Sequence, residues 1–397
     1  MKNLVIIGGG PAAMMLAAQI DRKKYKVTLY EKKKAIGRKF LVAGEGGLNL
    51  TYQSPVSELI SQYTPSEFMA PIIKQFTNED LTSWFNKLGV STFVGSSNRV
   101  FPDLDLKPIE VLNKIVTHLK VSGIEFHLDQ TWVGWNDKRH LCFEGFDVTD
   151  FDIIVFALGG ASWKVTGSDG KWNKIFEDRG VEVRPFRAAN CAFGVDWNID
   201  FITAHEGKPL KNIAVTFRNQ RARGELLISN YGLEGNAIYA LSHKIQESLL
   251  EEDKVVVYLD LKPTMTVDKI SKKLNSSFHS KISEILKKDL NLDRASIGLL
   301  KQFSDKKTFS NKELLAETIK AIPVNINSAD DLDRAISTLG GIALDEIDKN
   351  FQIKKIDKAY AIGEMLDWYA PTGGYLLQAC FSMGFSLASH LNAKEEN

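Results

Sequence analysis

The first 31 residues alternate between apolar runs and short glycine-rich or polar breaks. Residues 4–7 are apolar and mostly β-branched, which is typical of a strand buried on both faces of a parallel sheet. Glycines fill positions 8–10, small and apolar residues then predict a helix over 14–20, and residues 26–30 predict a second strand. A strand, a helix and a strand within about 30 residues form a βαβ unit of the size that binds a mononucleotide.

The pattern changes character twice along the rest of the chain. Up to about residue 187, it predicts a helix beginning at the capping sequence 64–67, a helix from Thr77 to Leu88 and a buried strand over 151–157. Short strands separated by turn residues come next, at 192–197, 213–217, 226–228 and 255–259. Residues 266–320 have a helical, lysine-rich pattern with a capping box at 310–313. A glycine-rich sequence returns near residue 338.

Composition and charge exclude several classes of protein. The 397 residues carry 50 Lys and Arg against 49 Asp and Glu, which argues against a nucleic-acid binder and against electrostatic membrane attachment. Three scattered cysteines form neither a disulfide framework nor a metal-ligand spacing. No apolar run is long enough to span a membrane. We therefore expect a soluble cytoplasmic protein without metal, nucleic-acid, membrane or obligate protein partner.

The glycine run has the spacing of a dinucleotide-binding fingerprint. Gly8, Gly10 and Ala13 match G-x-G-x-x-[GA] between a strand and a helix. Gly8 permits a tight turn, Gly10 lets the backbone approach a pyrophosphate, and Ala13 permits close helix packing. The helix start offers free N–H groups to the phosphates, and Glu31, after the second strand, can accept the ribose hydroxyls.

A second glycine-rich region near the C-terminus returns to the same domain. Residues 359–364 end in Ala-x-Gly-Glu, which resembles the second FAD fingerprint of glutathione-reductase-type flavoproteins, where an acid binds the ribityl chain. A helix beginning at Gly374 would direct its positive end at a flavin ring and favour the anionic reduced form. By themselves these glycines are equally compatible with a close helix–helix contact.

Several further motifs give the chain a family resemblance. They are Gly37–Phe40, Gly44–Thr51, Arg99–Pro102, Ala157–Gly160 and Gly224–Leu227 leading to Tyr231-Gly232. Over nearly its whole length the sequence resembles a bacterial family of FAD-dependent oxidoreductases that includes bile-acid-dehydroxylation flavoproteins and aminoacetone oxidases. Many relatives have Gly-Gly-Arg-Cys-Asn where this chain has Gly46-Gly47-Leu48-Asn49 after Glu45. The missing Arg and Cys mark a distinct branch, so no substrate is transferred from the family.

The fingerprints and the resemblance together define the expected cofactor site. The two fingerprint regions supply Gly8, Gly10, Pro11, Ala12, Ala13, Glu31, Lys32, Gly363, Glu364, Gly373, Gly374, Tyr375 and Leu376. The resemblance adds Arg38, Lys39, Gly46, Asn49, Leu50, Val133, Ala157 and Gly159. No catalytic base emerges, and the histidines of the middle region (His205, His243 and His279) are interpreted as structural or surface residues.

The predicted fold is α/β, with a discontinuous Rossmann-like FAD-binding domain at 1–187 and 338–397. Residues 188–337 correspond to the family's inserted domain, a small β-barrel followed by a helical part that shapes the substrate pocket. The predicted function is FAD-dependent oxidoreduction of a small organic substrate by hydride transfer at flavin N5. NAD(P)H stays open as a transient electron donor. The alternatives are an oxygen-using oxidase of a small amine and a non-catalytic flavin-holding protein.

Overall fold

The computed structural model describes residues 1–43, 47–279 and 281–394, and its contacts divide the chain into two compact units. One unit comprises Met1–Ala188 with Leu332–Asn397, and the other comprises Ala189–Asp331. The sequence-based division placed its boundaries at 187/188 and 337/338. A parallel sheet lies in the first unit and an antiparallel sheet in the second, so the predicted fold class is confirmed.

Strands and helices are numbered in chain order. The strands are β1 Lys2–Ile7, β2 Tyr25–Glu31, β3 Thr51–Tyr52, β4 Thr92–Val94, β5 Arg99–Pro102, β6 Glu125–Leu128, β7 Trp132–Trp135, β8 Leu141–Phe143, β9 Phe146–Val148, β10 Ile153–Phe156, β11 Val183–Ala189, β12 Phe193–Gly194, β13 Pro209–Phe217, β14 Gln220–Ile228, β15 Gly232–Glu234, β16 Val255–Asp260, β17 Ile322–Ile326, β18 Ser328–Ala329, β19 Ser337–Ile342 and β20 Ala359–Ala361. The helices are α1 Pro11–Gln19, α2 Arg38–Val42, α3 Val56–Ile60, α4 Ser66–Gln75, α5 Asn78–Lys87, α6 Pro108–Val121, α7 Asn173–Glu177, α8 Ile199–His205, α9 Asn236–Tyr239, α10 Ser242–Leu249, α11 Val267–Ser276, α12 Ile282–Lys288, α13 Arg294–Gln302, α14 Lys306–Ser310, α15 Lys312–Lys320 and α16 Tyr375–Ala393.

The core of the first unit is a five-stranded parallel sheet in the order β20-β10-β1-β2-β6. Residues 4–7 of the central strand β1 and all four residues of β10 are buried, which explains their continuous apolar sequence. Helix α16 packs against α1, and Gly384 allows the two backbones to approach closely. A Cβ built on Gly384 would lie 2.3 Å from the carbonyl oxygen of Ala12.

Small antiparallel sheets and short helices extend the first unit. β3, β5 and β4 form one three-stranded sheet, and β7, β8 and β9 form another. Helix α5 begins as the sequence predicts: Thr77 accepts a hydrogen bond from the N–H of Asp80, whose carboxylate accepts the N–H of Thr77. The predicted start of α4 is wrong in detail. Its N-cap is Pro65, and no side chain caps it.

The second unit is built on a seven-stranded antiparallel sheet in the order β17-β16-β13-β14-β15-β12-β18. The two outermost members of this order, β17 and β18, are separated only by residue 327, so one continuous segment pairs with β16 and with β12. The sheet therefore closes on itself as the predicted small barrel.

Helices α11–α15 account for the predicted helical stretch, but they lie between barrel strands β16 and β17 in sequence and do not follow the whole barrel as predicted. The predicted capping residue of α15 is wrong by one position: Asn311, not Ser310, accepts the N–H groups of Glu313 and Leu314. Across the described part of the chain, no helix has the length and apolar character needed to cross a membrane.

Candidate functional site

A cavity of the first unit opens at the carboxyl ends of the central parallel strands. β2 pairs with β1 on one side and β10 pairs with it on the other, so the strand order reverses at β1. In open α/β sheets, ligands bind in the crevice at such a reversal. The cavity encloses about 520 Å³, and its wall includes Gly8, Glu31, Ala157 and Gly363.

Gly8 follows β1 at a point where only glycine fits. Its φ is +102°, and a Cβ built there would lie 2.3 Å from the carbonyl oxygen of Ala157. Its N–H donates to the carbonyl of Tyr30 at 2.8 Å, and the N–H of Ala157 donates to the carbonyl of Ile7 at 2.8 Å. The turn is thus held against both neighbouring strands, which fixes the position of the glycine loop.

Glu31 joins the glycine loop to the end of β2. One carboxylate oxygen accepts the N–H of Gly9 at 2.8 Å, and the other accepts the N–H of Lys33 at 2.9 Å. Burial raises the pKa of Glu31, and these two hydrogen bonds oppose the rise. A Cβ on Gly9 would lie 2.5 Å from Ile36 Cγ2, so the middle glycine of the run is also sterically required.

Helix α1 presents an uncapped N-terminus to the cavity. Gly10 is its N-cap and Pro11 its first residue, and no side chain of the described residues caps the first turn. Apart from the adjacent residues, a Cβ on Gly10 would meet no atom of the described structure within 4 Å, and Gly10 and Ala12 line the cavity. The open space in front of free N–H groups is suited to an anion such as a pyrophosphate.

The segment that follows β10 forms one wall of the cavity. The indole N–H of Trp172 donates to the carbonyl of Gly159 at 3.0 Å, which closes residues 159–172 into a loop. Asp169 pairs with Lys32 at 2.8 Å, and both side chains are about three-quarters buried. Ala157 and Gly159 of this wall were predicted, but residues 166–169 were not, although the sequence Thr166-Gly-Ser-Asp-Gly170 is a turn signal that could have drawn attention to them.

Two buried donors on the cavity wall have no hydrogen-bond partner among the described residues. They are the hydroxyl of Ser168 and the indole N–H of Trp132, on residues that are each only 7% exposed. A buried donor without a partner is costly, so such groups are usually satisfied by a ligand or water. Together with the uncapped helix and the carboxylate of Glu31, they fit a polar dinucleotide such as FAD.

Two residues of the cavity wall, Lys39 and Glu364, belong to a charged network. Lys39 donates to Glu364 at 2.8 Å and to the hydroxyl of Ser162 at 2.8 Å, and Glu364 also accepts the N–H of Thr338 at 3.1 Å. Burial, assisted by the charge of Glu364, raises the pKa of the Cys380 thiol to about 12. The thiol is therefore protonated at neutral pH and does not act as a thiolate nucleophile.

Most of the predicted cofactor residues line this one cavity. Those that do are Gly8, Gly10, Pro11, Ala12, Glu31, Lys32, Arg38, Lys39, Val133, Ala157, Gly159, Gly363 and Glu364. Ala13 is fully buried behind the glycine loop, and Gly46 lies outside the described residues. The residues located elsewhere in the first unit are Asn49, Leu50, Gly373, Gly374, Tyr375 and Leu376. Within residues 1–43, 47–279 and 281–394, no group of three His, Cys, Asp or Glu side chains could hold a metal ion.

The raised pKa of Glu31 leads to a pH prediction. If Glu31 accepts the ribose hydroxyls as predicted, they would donate to the ionised carboxylate, and binding of the cofactor would be coupled to ionisation of Glu31. The affinity for FAD is therefore expected to be highest above the pKa that Glu31 has in the flavin-free protein. It should decrease as the pH falls through that pKa. Because burial raises that pKa, the loss should begin at a higher pH than for an exposed glutamate. FAD dissociation constants measured across an acidic pH series check this, with Glu31→Gln expected to remove the dependence.

Comparisons with known proteins agree with this geometry. A family model described as an HI0933-like protein Rossmann domain matches residues 2–390. A 3-dehydro-bile acid delta(4,6)-reductase of Clostridium scindens is 24% identical over 410 residues, which cover 97% of this chain and 98% of the relative. A ribosomal RNA dihydrouridine synthase of Escherichia coli is 24% identical over 411 residues, with 100% and 99% coverage.

A solved structure shares the fold at greater distance. It is the 3-ketosteroid-delta4-(5alpha)-dehydrogenase of Rhodococcus jostii in complex with 4-androstene-3,17-dione. The TM-score is 0.50 at 14% identity, and the match covers 99% of this chain and 97% of that one. At this level of identity, the likeness concerns the fold alone.

Proposed function

The chain belongs to the HI0933-like family of FAD-binding Rossmann oxidoreductases, and from that premise we propose that it reduces a conjugated carbon–carbon double bond in a small carbonyl compound. Binding of a flavin is supported by the cavity at the strand-order reversal. Its wall contains the uncapped start of helix α1, the carboxylate of Glu31 and two buried donors without a partner among the described residues. When bound and reduced, the flavin would supply a hydride from N5.

Residues of the chain have distinct roles in holding the cofactor. The N-terminus of α1 and the ammonium of Lys39 would neutralise the pyrophosphate, and Glu31 would accept the ribose hydroxyls. Glu364 would accept hydroxyls of the ribityl chain, with its orientation held by the N–H of Thr338. Lys39 now pairs with Glu364, so the same ammonium can neutralise either the glutamate or an incoming phosphate.

The direction of the reaction is suggested by the relatives. Their names describe the reduction of double bonds in a bile acid and the formation of dihydrouridine, and both reactions saturate a ring carbon–carbon bond. One substrate is a small molecule and the other is RNA. The balance of 50 basic against 49 acidic residues favours a small molecule for this chain. NAD(P)H is the proposed electron donor.

Anaerobic half-reactions test this function. NADH or NADPH is expected to bleach the flavin of the purified holoprotein within seconds, and a cyclic enone should restore the oxidised spectrum faster than oxygen does. Reduction by a small amine followed by rapid reoxidation by oxygen would instead establish the oxidase alternative. A flavin that reacts with none of the donors or acceptors would support the non-catalytic role. Saturation of uridine in RNA, without turnover of any enone, would contradict the proposal of a small-molecule substrate.

A further inference from the structure

Three polar side chains meet at the start of helix α16, outside the cavity described above. Tyr52 and Arg99 are directly opposite each other in the β3–β5 pair, which places their side chains on the same face of the sheet. The ring of Tyr52 stacks on that of Tyr375, with ring centroids 5.1 Å apart and an interplanar angle of 22°. We refer to these three residues as the Arg99 cluster.

Gly373 leaves a gap between two members of the Arg99 cluster. A Cβ built on this residue would lie 3.4 Å from Arg99 Nε and 3.6 Å from the Tyr375 ring. The guanidinium and the edge of the phenol ring therefore border a common space that any larger residue at position 373 would occupy. The φ of Gly373 is +114°, so its backbone conformation also favours glycine.

The polar groups of the Arg99 cluster have no protein partner among the described residues. The guanidinium of Arg99 forms no hydrogen bond or ion pair there, and neither do the hydroxyls of Tyr52 and Tyr375. Arg99 is half-buried and Tyr375 is only 8% exposed. None of these polar atoms is fully buried, so the guanidinium and the hydroxyls are accessible to a ligand oxygen.

The surrounding elements hold Tyr375 in place. Its carbonyl accepts the hydroxyl of the buried Tyr63 at 3.0 Å, and Gln378, one turn further along α16, is bonded to the hydroxyl of Thr51 at 2.6 Å. A Cβ on Gly374 would lie 2.7 Å from the backbone of Thr51, so the helix start is pressed against β3. The phenol is thus positioned before a ligand arrives.

The protonation state of Tyr375 suits a donor. Burial raises the pKa of this phenol, the adjacent Tyr52 adds to the rise, Arg99 opposes it, and the exposed Glu58 contributes a further small increase. The hydroxyl therefore keeps its proton at neutral pH. The cluster combines a permanent cation with a neutral O–H donor.

We propose that Arg99 and Tyr375 bind the carbonyl oxygen of the substrate, which makes the substrate class α,β-unsaturated ketones, aldehydes or acids. The proposal rests on the function proposed above and on the sequence-based expectation that residues 373–376 lie beside the flavin ring. The hydride bonds to the β-carbon, and the π-electron pair shifts to give an enolate whose oxygen accepts from Arg99 and Tyr375. The α-carbon then takes a proton from water, so the double bond is saturated and the reduced flavin is oxidised by two electrons.

Binding of a phenol to the oxidised holoprotein tests the cluster without turnover. A phenolate resembles an enolate, and 4-fluorophenol can be titrated by fluorine NMR. Arg99→Met is expected to weaken binding by about tenfold or more, because a charge-assisted hydrogen bond is lost. Tyr375→Phe should weaken it less, and Arg99→Lys should fall between the parent and Arg99→Met. Arg184→Met, which removes an exposed guanidinium elsewhere in the first unit, is the matched control and should bind as the parent does.

Half-reactions separate the failure of this proposal from failure of the proposed function. Arg99→Met should keep its flavin and be reduced by NAD(P)H at the parent rate, while reoxidation by an enone slows by at least about tenfold. Equal phenol binding by the parent and Arg99→Met would overturn the assignment even if enone reduction occurs. If no enone reoxidises the parent, the proposed function fails, and loss of phenol binding in Arg99→Met would still support an oxyanion site at the cluster.

Discussion

A Gly10→Val variant is expected to fold like the parent and to purify without FAD. The backbone of Gly10 is extended, with φ −80° and ψ −179°, which valine adopts readily. A Cβ there would lie more than 4 Å from every described atom outside the two adjacent residues, so the free energy of unfolding of the flavin-free protein should be nearly unchanged. The new methyl groups would instead occupy the space in front of the helix α1 N-terminus, where the pyrophosphate is proposed to bind. We expect FAD affinity to fall at least about a hundredfold, equivalent to ~2.7 kcal/mol.

Gly8→Val is the contrasting variant. At this position φ is +102° and a Cβ would lie 2.3 Å from the carbonyl oxygen of Ala157, so valine should disrupt the β1–β10 junction and the fold itself. Flavin content measured by absorbance and unfolding followed by circular dichroism distinguish the two effects. Flavin retained at the parent level by a folded Gly10→Val protein would contradict the placement of the pyrophosphate.

Gly384→Ala is expected to destabilise the protein, although alanine is the better helix former. Within α16 the substitution should contribute about 1 kcal/mol of stability through helix propensity. Its Cβ, however, would lie 2.3 Å from the carbonyl oxygen of Ala12 and 2.9 Å from the backbone nitrogen of Leu16. Both are backbone atoms of α1, so the two helices must move apart. We expect a net loss of about 2 kcal/mol, measured as a shift in the urea midpoint of the holoprotein.

Ser389→Ala provides the control on the same helix. Ser389 is exposed, so alanine there should change stability only slightly and in the favourable direction. An unfolding midpoint for Gly384→Ala equal to or above that of the parent would show that α1 and α16 are not as closely packed as described.

The parts of the site that were predictable are local in sequence. The first strand, the glycine run and the helix over residues 4–20 form a βαβ unit together with the second strand, which ends at Glu31. Each of these features depends on neighbouring residues, because backbone conformation and hydrophobic periodicity act over a few positions. The helix predicted from Thr77 to Leu88 was predictable for the same reason, and these two residues are the N-cap and C-cap of α5.

The remaining features depend on contacts between distant segments. Gly9 is required because Ile36 packs against it, and Gly384 because α1 lies beside it, and neither neighbour is indicated by the local sequence. Ser168 is a site residue only because its hydroxyl is buried without a partner, which is a property of the folded chain. The Arg99 cluster likewise brings together three elements that are far apart in sequence. Periodicity cannot predict such pairings.

The closure of the barrel in the second unit has a consequence for how the chain folds. β12, near the beginning of that unit, pairs with β18, near its end, and the N–H of Asp330 donates to the carbonyl of Ala192 at 2.9 Å. The entry and exit points of the unit are thus adjacent, and Ala189–Asp331, once folded, has the end-to-end span of a short connection. Contacts within the folded unit therefore offset the entropic cost of joining residues 188 and 332 through a segment of this length. This allows the segment to be inserted in the sequence of a nucleotide-binding domain.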